Sequence, residues 1–124
     1  MENNPVYNDR MNERISNSEF QEFAERAIAE FEQAFGELAE DRDIDVQVEG
    51  GVLSITFEEG EPGRFILSPN SSVHQMWLSA RVSSFKFAWN RDLGEFVLAG
   101  HDETLKQVLE RLTREQLGDD SVIL

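Results

Sequence analysis

The sequence has no cysteine, which excludes disulfides, thiolate nucleophiles, zinc fingers and thiolate-held iron–sulfur clusters. Histidine is nearly as scarce, with two in 124 residues. His74 falls within a predicted strand and His101 in the loop before the second helix. Neither is marked as part of a Ser-His-acid arrangement. No glycine-rich loop joins a strand to a helix, so a phosphate cradle is unsupported. Glu58 and Glu59 adjoin in a turn and do not flank a cleft as glycosidase carboxyls must.

Basic side chains are also few, 11 against 25 acidic ones, for a formal charge of −14. Nucleic acid is therefore an improbable partner, because binding it requires Lys and Arg to displace counterions. Anionic membranes are disfavoured for the same reason. No apolar run approaches the ~18–20 residues of a membrane span. The start, Met1-Glu2-Asn3-Asn4-Pro5, has neither a secretory h-region nor an Arg-rich transit character, so a soluble, cytoplasmic protein, or an already processed form, is expected.

What is present is enough for one core. Forty per cent of the residues are apolar, with nine Phe and two Trp, and the length suits one domain. The charge is uneven. Residues 1–49 carry fourteen acids and four bases, whereas no acid occurs between Glu61 and Asp92. An acidic end and a neutral-to-basic patch carrying Arg64, Arg81, Lys86 and Arg91 are expected.

Residues 1–14 are polar and aperiodic and are read as a flexible leader. Residues 15–118 form the domain and 119–124 a tail. Ser16 and Glu19 make a capping box, with Ile15 and Phe20 spaced as a hydrophobic staple. Phe20, Phe23, Ala24, Ala27, Ile28, Phe31, Ala34, Phe35 and Leu38 then recur on one helical stripe. Burying its four Phe rings contributes roughly 1.5–3 kcal/mol each, so the helix packs on something large.

The period then changes to two. Ile44, Val46 and Val48 alternate with acids, Gly50-Gly51 makes a hairpin turn, and Val52–Phe57 returns. Strands follow over Arg64–Ser68, Val73–Ala80, Phe85–Trp89 and Glu95–Leu98, with Pro69–Ser72 as a turn. Asp102 is the expected N-cap of a closing helix whose Leu105, Val108, Leu109 and Leu112 share a face, and Gly118 ends it. Helix, antiparallel meander, helix describes an α+β fold. It is a two-layer sandwich, with both helices on one face of a five- to six-stranded sheet and the other face open. Trp77, with Gln75 and Ser79, points to that open face and is a candidate anchor for a partner, while Trp89 aligns with Phe85 and Phe87 toward the core.

Glu19, Glu22, Glu25, Glu32 and Glu37 on the first helix continue into Glu40, Asp41, Asp43 and Asp45. If the first strand is a sheet edge beside the helix, these carboxylates form a ridge. Crowded carboxylates bind hard cations or basic protein surfaces, with modest affinity and little selectivity.

The segments Asn17-Ser18-Glu19-Phe20, Asp43-Ile44-Asp45, Gly50-Gly51-Val52-Leu53-Ser54-Ile55-Thr56-Phe57 and His74-Gln75-Met76-Trp77-Leu78-Ser79 together resemble the frataxin family, in its bacterial CyaY form. The resemblance spans about residues 17–117. It implies a role in iron–sulfur cluster assembly, with weak binding of Fe2+ and Fe3+ at the ridge and contact with the cysteine desulfurase and the cluster scaffold. It further implies a monomer that forms oligomers with iron, in the bacterial cytoplasm. Carried over by position, the ridge includes Glu25, Glu32, Glu37, Asp41, Asp43 and Asp45. The partner contact uses Gln75 and Trp77, with Asn70 and Lys86 nearby. Gln33, Gly36 and Ala39 stand where relatives carry acids, which thins the ridge. The alternatives are a ferroxidase or iron-storage protein, and an acidic interaction module with no metal role.

Overall fold

A computed structural model describes residues 15–124, so the expected leader lies outside the described residues. The order is α1 (Asn17–Leu38), β1 (Ile44–Glu49), β2 (Val52–Phe57), β3 (Gly63–Asn70), β4 (Gln75–Ala80), β5 (Ser83–Asn90), β6 (Glu95–Leu98) and α2 (Leu105–Leu117). The six strands form one antiparallel sheet in sequence order, leaving β1 at one edge.

Local chemistry explains the first helix. Ser16 Oγ accepts from Glu19 N at 3.0 Å and the Glu19 carboxylate accepts from Ser16 N at 2.8 Å, which satisfies donors that a helix start otherwise leaves open. Ile15 and Phe20 are both buried. The stripe turns Phe20, Ala24, Ala27, Ile28, Phe31 and Phe35 inward, onto Leu53, Ile55, Phe57, Phe65, Leu67, Met76, Leu78 and Phe87 of the sheet. The α2 residues Leu105, Val108, Leu109 and Leu112 complete the same core. The Gly50-Gly51 turn has φ values of +60° and +80°, which side-chain-bearing residues rarely adopt.

The structure corrects several boundaries. The N-cap of α2 is Thr104, paired with Gln107 in a second capping box, and not Asp102. Leu98 N donates to Glu103 O at 2.8 Å and Val97 bridges to Thr104, so sheet-like pairing extends past Asp102 and delays the helix. β3 runs on through Pro69 and Asn70, which pair with Met76 and Gln75. The last β2–β3 pair is Leu53–Leu67, so Pro69 has no strand to donate to on that side. β4 starts at Gln75 because His74 sits in the turn with φ +53°, its ring stacked on Phe20 at 5.2 Å between centroids.

The segment 119–124, read as a tail, packs back on the domain. Val122 is buried, Arg114 Nε donates to Val122 O at 2.8 Å, and Leu124 N donates to a Glu110 carboxylate oxygen at 3.0 Å. Asp119 pairs with Arg42, whose other arm reaches Glu59 at 3.2 Å.

Candidate functional site: an acidic strand edge and a bare sheet face

The helical acids do not form one ridge, because a rotation of about 100° per residue spreads them around α1. Glu25 and Glu32 overhang a groove shared with Val48, Gly50 and Gly51 of the β1–β2 hairpin. Glu37 lies on the opposite flank with Glu30, beside Lys106 of α2, and accepts from Gln33 at 3.5 Å. Glu22 is paired with Arg26 at 2.6 Å. Glu19 is used by the capping box and meets Arg91 at 3.2 Å. The Ser16 backbone N–H it accepts from, reinforced by the Arg91 charge, holds its carboxyl below the ordinary glutamate range. Glu19, Glu22 and Glu37 therefore stand apart from the β1 edge.

Along β1, Ile44, Val46 and Val48 turn toward the helices, so Asp45 and Glu49 occupy the other face of the edge strand. Glu49 joins this row, and its spacing from Asp45 carries the same alternation. Asp41 and Asp43 are exposed just before the strand, and Arg42 between them points away to Glu59 and Asp119. Glu25, Glu32, Asp41 and Asp43 have no side-chain partner among the described residues, while Asp45 accepts only from exposed Gln47 at 3.1 Å. Two rows of carboxylates thus straddle one strand edge. Among the described residues, no group of three or more His, Asp or Glu side chains is set to hold a metal ion. The edge offers dispersed negative charge, not a built metal centre.

The residues expected to meet a partner are gathered on the sheet face that no helix covers among the described residues. Asn70 pairs with Gln75 across β3–β4, and Trp77 with Lys86 across β4–β5. The Trp77 indole N–H donates to Gln75 Oε1 at 2.9 Å, and Trp77 stays 38% exposed. Met76 and Leu78 beside it are buried, as strand alternation expects. Trp89 packs inward, stacked on Phe23 with centroids 4.0 Å apart and edge-on to Phe96 at 5.0 Å.

Fold and surface define a two-layer α+β sandwich with an acidic strand edge and a tryptophan-bearing open sheet. The chain belongs to the frataxin-like domain family, whose model matches residues 13–119. It is 35% identical over 95 residues to the iron–sulfur cluster assembly protein CyaY of Azotobacter vinelandii, covering 75% of this chain and 84% of that protein. In three dimensions it is similar to a frataxin of the CyaY family from Psychromonas ingrahamii. That likeness has a TM-score of 0.73 at 20% identity and covers 85% of this chain and 94% of the other. No helix among the described residues is long and apolar enough to cross a membrane.

Proposed function

We propose that this protein takes part in iron–sulfur cluster assembly in the bacterial cytoplasm. It would carry iron weakly as cargo and regulate the process by contacting the cysteine desulfurase and its scaffold. The observation that carries this reading is the acidic edge at β1, whose Asp43 and Asp45 have no basic partner among the described residues, in a chain 35% identical to a CyaY protein named for that process. Carboxylate oxygens suit hard iron cations. Glu25 and Glu32 are seven positions apart, roughly 10 Å along the helix axis, too far to chelate one ion together. Asp43 and Asp45 are about 7 Å apart along an extended chain and can share a hydrated cation through water. Such holding is loose and exchangeable, as a carrier needs. The acidic edge would also draw a basic groove of the desulfurase, while Trp77 and Gln75, with Asn70 and Lys86 beside them, would anchor the assembly.

Ferrous titration under anaerobic conditions, followed by amide NMR, tests the iron part. Broadening at Glu25, Glu32, Asp43 and Asp45, with Glu22 and Glu37 unaffected, supports it. Broadening spread over all acids, or none at low salt, counts against it. The dispersed carboxylates also favour a second reading, an acidic interaction module with no metal role. That reading gains if no broadening occurs while the desulfurase still binds.

A further inference from the structure

The helix layer leaves a gap beside the first half of α1. A groove of about 480 Å³ lies there, with Phe20, Ala24 and Ile28 as its floor and Val48 and Pro69 at the hairpin ends opposite. Val48 belongs to the inward face of β1, yet it stays 37% exposed. An apolar side chain on the core side of a sheet and open to water marks a place that a further apolar group would fill. Glu25 and Glu32 stand exposed on the helix side of the groove.

Residues 1–14 join the domain at this groove, because Ile15 is buried in the same cluster as Phe20. Their sequence is two-sided. Asn4-Pro5 is a helix-start signal. At 100° per residue beyond it, Tyr7, Arg10 and Met11 fall within a sector of about 100°, and Asp9 falls opposite. One side thus offers two large apolar groups beside a guanidinium. The charges match as well. Residues 1–49 hold four bases, Arg10, Arg14, Arg26 and Arg42. Arg26 pairs with Glu22, and Arg42 with Glu59 and Asp119, so the two that remain lie in the segment ahead of the groove.

We propose that residues 1–14 fold back as an intramolecular latch that fills the groove, with Tyr7 and Met11 on Phe20, Ala24 and Val48 and with Arg10 against Glu25. A helix hairpin with its turn over 12–15 has the right dimensions. It sets Met11 beside Phe20, and four residues of helix, about 6 Å, then carry Tyr7 to Ala24. Tethering selects this occupant, since a short linker holds the segment at roughly millimolar effective concentration. The latch would cover Glu25 and leave Asp43 and Asp45 open. It goes beyond the iron–sulfur role, since it requires neither iron nor the desulfurase.

The absence of cysteine makes the test clean. Asn8→Cys in the full chain gives a single thiol for a nitroxide spin label, and the metal-free protein is read by amide NMR. The label should broaden Ala24, Glu25, Ile28, Val48 and Gly51, and its reduction should restore them. Tyr7→Ala with Met11→Ala in the labelled chain should cut the broadening at Ile28 and Gly51 by about fivefold or more. Arg10→Glu should cut it by about threefold, and adding Glu25→Arg should restore it. These positions lie ahead of the core or on its surface, so the amide spectrum of the sheet should stay native. Broadening confined to residues beside Ser16, spread evenly over the surface, or centred on Trp77 overturns the latch. So does broadening passed from a labelled chain to a separate isotope-enriched one, which would make the occupant a second copy.

Discussion

The ammonium of Lys86 lies 4.8 Å from the centroid of the Trp77 ring, directly across the β4–β5 pairing. The contact steadies an exposed indole over the bare sheet, and attractions of this kind are worth about 0.5–1 kcal/mol at exposed sites. A tryptophan held in place loses little entropy on meeting a partner.

Trp77→Ala should accordingly leave the fold intact and lower stability by no more than about 1 kcal/mol. Iron-induced broadening at the β1 edge should not change. Affinity for the desulfurase–scaffold assembly should fall, as read by isothermal titration calorimetry. An unchanged affinity would remove Trp77 from the contact.

Phe35→Ala offers the contrast. Its side chain is wholly buried between α1 and the sheet, and truncation of such a ring destabilises by about 3–5 kcal/mol. Urea unfolding should show a large fall in midpoint with little change in slope.

Charge reversal at Asp43 and Asp45 to Lys should weaken the desulfurase contact and flatten its dependence on ionic strength. Both positions are exposed, so circular dichroism should show a native fold. An affinity indifferent to salt in the unaltered protein would show that the edge does not dock.

Gly63→Ala tests a lock at the far end of the sheet. A Cβ at Gly63 would lie 2.9 Å from Gln116 Nε2. That amide is pinned, donating to Glu61 O at 2.7 Å and accepting from Arg81 at 2.9 Å. Displacing it should lower stability by about 1–2 kcal/mol. Combining the change with Gln116→Ala should give less than the sum of the two, since both remove the same bonds.

Acid should loosen the start of α1 and the segment that follows α2. The Glu19 carboxyl is lowered chiefly by the Ser16 backbone N–H, and that of Asp119 chiefly by the Ser121 hydroxyl. A carboxyl depressed in the folded state adds stability above its unfolded value, and that stability is lost as pH falls through the folded one. For Glu19 the loss begins below the ordinary 4.5. Glu19→Gln should have a shallower stability–pH curve in that acid range, followed by thermal unfolding, and an equal slope would show that the carboxylate is not linked to folding.

Much of the fold is legible along the chain because its signals are local. The capping box of Ser16 and Glu19, the Gly50-Gly51 turn and the alternation that sends Trp77 outward and Met76 inward each depend on residues a few positions apart. What escapes such reading depends on distant neighbours. Thr104 replaces Asp102 as N-cap because β6 pairs with the chain beyond it. Residues 119–124 look like a tail until Arg42, Arg114 and Glu110 are placed around them. His74 stands in a turn, outside the strand its neighbours suggest, with its ring stacked on the distant Phe20.

The chain alone determined how much negative charge there is, which helix carries it, and that the first strand alternates apolar and acidic residues. Only tertiary packing decided which carboxylates are neighbours. Helical rotation sends Glu25 and Glu32 over the β1 groove and Glu37 to the α2 side, while Arg26 and Arg91 claim Glu22 and Glu19. The reason is that electrostatics acts through space, and spacing in sequence fixes distance only within a single helix or strand.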